Sequence, residues 1–180
     1  MPNWAYGNVT VTGTREGVKS FIGRFVSTDE PSTIPGKRFF YRSFLHESRQ
    51  EAIDEAMELF GKQPADAKES YTFVIAFAWS AYSCVIDRYP GSFSPECLSL
   101  PEACIEDRVS VLIQTSEPGI CFEERITCDE NGNVENCEMD LTPYKCKHCG
   151  EVSMFGSFED PDGIECPECG ESVYERCEEV

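Results

Sequence analysis

The stretch Tyr71-Thr72-Phe73-Val74-Ile75-Ala76-Phe77-Ala78-Trp79-Ser80 decides the reading of this chain. Bulky and small residues alternate with a strict period of two. Tyr71, Phe73, Ile75, Phe77 and Trp79 point one way, and Thr72, Val74, Ala76, Ala78 and Ser80 point the other. That period is the pleat of a β-strand. It predicts a central strand whose small face lets a helix approach closely.

On the N-terminal side, Tyr6 to Thr12 alternates in the same way, with Val9 and Val11 opposite Tyr6, Asn8 and Thr10, and stops at Gly13. Thr14 is placed to cap a helix in which Val18, Phe21, Ile22 and Phe25 recur at i, i+3, i+4 and i+7, one apolar stripe. Residues 27–37 are rich in Pro, Ser, Thr and Gly and read as a loop, with a short strand expected at 38–42. Ser48 and Glu51 have capping-box spacing ahead of a helix that ends near Phe60 and Gly61. Its inner face is Ile53, Ala56, Met57 and Phe60.

On the C-terminal side, Ser94-Pro95-Glu96 and then Ser99 with Glu102 offer two successive helix starts, with Pro101 limiting the first. Val109, Val111, Ile113 and Thr115 form the next strand face. Glu117-Pro118-Gly119 turns the chain. Ile120, Phe122, Glu124 and Ile126 return antiparallel, and Asn131-Gly132 turns again toward a strand carrying Cys137, Met139 and Leu141. The expected class is α+β: a ferredoxin-like antiparallel sheet over residues 1–141 with helices on one face. A zinc ribbon is expected over residues 142–180.

The ribbon rests on Cys146-Lys147-His148-Cys149 and Cys166-Pro167-Glu168-Cys169, two C-x-x-C knuckles sixteen residues apart, each followed by glycine. Glycine lets the chain turn so that backbone N–H groups face the thiolates. Four sulfurs at this spacing close a tetrahedron around one structural Zn²⁺, with iron sharing the ligand set. The segment has few apolar residues, so metal binding is expected to supply much of its folding energy. Of the seven other cysteines, Cys84, Cys97, Cys104, Cys121, Cys128, Cys137 and Cys177, most read as small buried hydrophobes.

Met1-Pro2-Asn3-Trp4, followed by the Val9-Thr10-Val11-Thr12-Gly13 strand, resembles a family of uncharacterised phage and plasmid proteins with a YubB-type ferredoxin-like domain. Trp79-Ser80, Glu117-Pro118-Gly119 and Phe122 are similar too. The likeness spans roughly residues 1–140. The helix at 48–60 and the ribbon depart from the family pattern. The resemblance implies a fold and a mobile-element setting and carries no catalytic residues.

The 180 residues hold 33 acidic and 15 basic side chains, a net charge of −18, with 41% hydrophobic and 12% aromatic content. Such a chain has the makings of a packed core and is a poor wrapper of duplex DNA or anionic membrane. The start lacks the pattern of a secretory signal, and no apolar run is long enough to span a bilayer, so a cytoplasmic location is expected. No phosphate loop, nucleophile elbow or H-E-x-x-H occurs, and the two histidines, His46 and His148, are far apart.

The expected function is therefore non-enzymatic: an acidic, zinc-binding interaction protein with a basic protein partner. Glu51, Asp54, Glu55 and Glu58 fall on one helix face without an interleaved Lys, which makes them the candidate partner surface. The alternative is nucleic-acid binding, through the ribbon or the basic N-terminal quarter. There Arg38 and Arg42 flank Phe39, Phe40 and Tyr41, and Arg15, Lys19, Arg24, Lys37 and Arg49 lie nearby.

Overall fold

The structure is a computed structural model that describes residues 3–24, 43–45, 48–61, 63–86, 98–119 and 121–177. The first part of the chain runs β1 (Trp4–Thr14), α1 (Arg15–Arg24), β2 (Ser43–Leu45), α2 (Arg49–Phe60), β3 (Lys68–Ala78), α3 (Ala81–Val85) and α4 (Leu100–Asp107). The meander β4 (Ser110–Glu117), β5 (Phe122–Cys128) and β6 (Val134–Asp140) completes it. These strands form one sheet in the order β2-β3-β1-β4-β5-β6, with every neighbouring pair antiparallel. A second sheet, ordered β8-β7-β9, is built from β7 (Thr142–Cys146), β8 (Val152–Phe155) and β9 (Tyr174–Arg176).

The strand alternation sets the register. Phe73, Val9, Ile113 and Ile126 align across four strands, and Tyr71, Val11, Val111 and Cys128 align in a neighbouring row. All eight are buried, and they share one core with Val18, Phe21 and Ile22 of α1, Ala52, Ala56 and Phe60 of α2, and Leu100, Ala103 and Cys104 of α4. Phe25 lies outside the described residues. The helices thus cover one face of the sheet, and that face is the bulky one of β3. The expectation that the small face would receive a helix is reversed. A sheet face rich in Phe and Val needs burial far more than one of Thr does. On the opposite face Thr10 pairs with Thr72 at 2.8 Å and Thr12 with Ser70 at 2.7 Å, hydroxyl to hydroxyl.

Trp79 does not continue the aromatic row. The strand ends at Ala78, and Trp79 turns out at φ 67 with 39% of its surface exposed. Left-handed backbone breaks the two-residue period, so the side chain leaves the core face. The expected strand at 38–42 lies outside the described residues; Ser43–Leu45 pairs with β3 on the side away from β1. Residues 81–85 form the short helix α3, capped by Ser80.

Helix ends follow local chemistry. Ser48 and Glu51 form a reciprocal capping box, and so do Ser99 and Glu102. Pro101 sits in the first turn of α4, where its missing N–H leaves no gap, so it opens the second of the two expected helices; the first start, at 94–96, lies outside the described residues. The last turn of α2 has no basic residue, and Arg15 supplies one from α1. Its guanidinium donates to the Gly61 carbonyl and lies 6.0 Å over the Phe60 ring.

Candidate metal centre

Both knuckles are built alike. Cys146 N–H donates to the Glu151 carbonyl at 2.7 Å and Cys166 N–H to the Glu171 carbonyl at 3.0 Å. Gly150 N–H returns to the Cys146 carbonyl and Gly170 N–H to the Cys166 carbonyl, each at 2.9 Å. Gly150 has φ 84 and Gly170 φ 75, a left-handed conformation that a Cβ would strain. The turn aims backbone N–H groups at sulfur: Glu151 N–H at Cys149, Glu171 N–H at Cys169, and Glu168 and Cys169 N–H at Cys166. Burial works against the Cys166 thiolate. Those two N–H groups and the neighbouring thiols outweigh it and bring Cys166 down to about 6.

The four sulfurs of Cys146, Cys149, Cys166 and Cys169 all lie within 4.8 Å of one another. Cys146 and Cys169 are 3.7 Å apart, Cys149 and Cys166 3.6 Å. A tetrahedron of sulfurs about 2.3 Å from a metal has edges of about 3.8 Å. The cluster fits a four-sulfur metal ion such as zinc, and with four protein ligands it leaves no position for water or substrate. What such an ion supplies is a cross-link between β7 and the loop that precedes β9.

Around the cluster the apolar material is thin. Phe155 stacks edge-on between Tyr144 at 5.5 Å and Tyr174 at 5.0 Å, and with Cys146 and Cys166 these rings make up the ribbon's interior. His148, between two ligands, is exposed.

The ribbon meets the sheet through a residue with no distinguishing sequence pattern. Glu123 of β5 is buried on the face away from the helices and accepts the backbone N–H of Ser157. Its neighbour Glu124 is buried on the helix face, where it accepts N–H from Ala81 at 2.7 Å and Tyr82 at 3.1 Å. Burial pushes the Glu124 carboxyl up to about 7 against those two N–H groups, and Glu138 opposite adds to the rise. The one hint in the sequence is that Glu124 stands in register with Ile126 on the apolar face. Glu117, also buried, accepts the Gly119 N–H across its own turn at 3.0 Å.

The acidic stripe of α2 is exposed at all four positions. Three of the four already have intramolecular work: Glu51 in the capping box, Asp54 accepting from Gln50 at 2.8 Å, and Glu55 accepting from the Tyr71 hydroxyl at 3.0 Å. The Ser48 N–H, and then the Ser48 hydroxyl, hold the Glu51 carboxyl below its ordinary range.

Of the basic quarter, Lys37, Arg38, Phe40, Tyr41 and Arg42 lie outside the described residues. Arg15 is spent on the end of α2. Arg24 pairs with Glu106 at 2.9 Å and buried Asp107 at 3.0 Å, and Arg49 is buried. Lys19 is exposed. Cys84, Cys104 and Cys128 are buried as expected, whereas Cys121 and Cys137 are exposed and Cys177 is half-buried. Cys97 lies outside the described residues. No helix among the described residues is long and apolar enough to cross a membrane.

No family model matches the chain, and neither does any curated protein or solved structure.

Proposed function

We propose that this protein is a non-enzymatic, acidic interaction protein whose ribbon is cross-linked by one structural Zn²⁺ and whose partner is a basic protein. The observation that carries the reading is the closed four-sulfur cluster, with spacing that suits zinc and no open position. The net charge of −18 supplies the attraction for Lys and Arg. The buried carboxylates of Glu117, Glu123 and Glu124 are each engaged with backbone N–H groups, which favours structural roles for them over catalysis.

We read the body as ferredoxin-like. In the order β2-β3-β1-β4, β3 separates β1 from β2 and β1 separates β3 from β4, with α1 and α4 on the two crossovers. The helix α2 is then an insertion and β5–β6 an extension. This supports kinship with the YubB-type proteins of phages and plasmids, and hence a mobile-element setting.

Two measurements on the purified chain test the proposal. Elemental analysis should return one zinc per chain; iron in its place, or neither metal, overturns that part. An immobilised arginine-rich peptide should retain the protein at low salt and release it as salt rises, because exposed charges are screened over about 8 Å at physiological ionic strength. Preferential capture by single-stranded DNA would instead favour the basic N-terminal quarter.

A further inference from the structure

The ribbon does not lie flat on the sheet. Between them runs a groove of about 420 Å³, floored by β1 and β3 and walled by the ribbon residues that follow the Glu123–Ser157 contact. Beside Asn8, its floor and far wall present apolar side chains open to solvent: Tyr6 is 48% exposed, Val74 46% and Ile164 38%. Phe158, half-buried, adds a second ring. Tyr6 and Val74 stand on a sheet face whose other residues toward the β1 C-terminus are Asn8, Thr10, Thr12, Ser70 and Thr72, with Ala76 and Ala78 buried at its other end. Exposed apolar side chains gathered in one concavity, and not scattered, mark a contact surface.

The ribbon wall adds charge. Glu159 is held at the groove by the Gly156 N–H, and Asp160 by the Asp162 N–H at 3.1 Å. These bonds fix two carboxylates beside two aromatic rings and two aliphatic side chains. Phosphate is repelled from such a rim, and a second copy of this chain is as acidic as the first. The chemistry that fits is an alkyl stem ending in a cation: the stem lies on Val74 and Ile164, and the head faces the Tyr6 and Phe158 rings and the carboxylates.

We propose that this groove docks an arginine or lysine side chain presented by a basic partner protein. The proposal rests on the partner reading above and moves the contact from the α2 stripe to the junction of sheet and ribbon. Because the metal-bearing ribbon supplies one wall, the groove exists only when the ribbon is folded.

The test uses the full, zinc-loaded chain and a defined probe, the peptide acetyl-Gly-Leu-Arg-Arg-Leu-Gly-amide, with its neutral citrulline counterpart as control. Affinity is read by calorimetry and location by backbone amide shifts. The arginine peptide should shift amides of Tyr6, Val74 and residues 158–164, and the citrulline peptide should not. Tyr6→Ser and Asp160→Asn should each weaken binding about fivefold or more, Tyr6→Phe should retain it, and the stripe variant Asp54→Asn/Glu58→Gln should bind within about twofold of the parent. Groove variants that bind like the parent, or shifts confined to the α2 stripe, overturn the groove and leave the acidic-surface reading standing. No shift anywhere at about 1 mM arginine peptide overturns both.

Discussion

The two sheets are held together by different physics. The six-stranded body buries two aligned rows of apolar residues under three helices, with Phe21, Phe60, Phe73 and Phe77 wholly inside. The three-stranded ribbon encloses three rings with Cys146 and Cys166. A segment that short cannot bury enough apolar surface to offset its chain entropy, and on the proposed reading a metal cross-link at the four sulfurs replaces the missing core. A break in one region should therefore leave the other standing.

The largest effect should come from the sulfurs. Cys146→Ser or Cys166→Ser, or a strong chelator, should unfold residues 142–177 and spare the body, since structural zinc contributes about 10–16 kcal/mol in small zinc peptides. Hydrogen exchange would show it: ribbon amides lose protection and β1 and β3 amides keep theirs. Joint loss would mean that the body depends on the ribbon.

Next in size is the body's own core. Phe77→Ala should cost about 3–5 kcal/mol through lost burial and the cavity left behind, read as a lower urea midpoint with zinc content unchanged. Trp79→Ala should cost markedly less, because Trp79 has left the core face.

Glu124 sharpens the comparison through pH. Burial raises its folded-state carboxyl to about 7, above its ordinary 4.5, so the folded protein favours the protonated form. The cost of ionising it builds as pH rises from about 4.5 and is complete above about 7, amounting to about 3 kcal/mol at most. The stability difference between Glu124→Gln and the parent should therefore shift in favour of the variant across that window, and level off on either side. A difference that stays constant from pH 4.5 to 8 would mean that the carboxyl titrates alike in the folded and unfolded chain.

The smallest effect belongs to a cap. Ser48→Ala removes the acceptor for the Glu51 N–H and should cost about 1 kcal/mol in the body's unfolding, with ribbon exchange unmoved.

Short-range patterns are legible in the chain by themselves. Alternation marks β1, β3 and β4. The i, i+3, i+4 spacing marks α1. Ser48 with Glu51 and Ser99 with Glu102 mark two helix starts, and the paired C-x-x-C-G motifs mark the cluster. Each is a rule between residues a few positions apart, so the sequence alone suffices to state it.

What only the tertiary structure decided depends on neighbours far along the chain. The period of two in β3 cannot say which face receives helices; that is settled when α1, α2 and α4 need a partner as apolar as themselves. Trp79 reads as the next member of an aromatic row, and leaves it only because the backbone turns left-handed beneath it. Glu123 and Glu124 are ordinary surface acids by composition, and become buried clamps on opposite faces only because Ser157 and Ala81 bring N–H groups to them. Burial and hydrogen-bond partners are properties of the assembled fold, and a carboxylate's character follows from them and not from its place in the sequence.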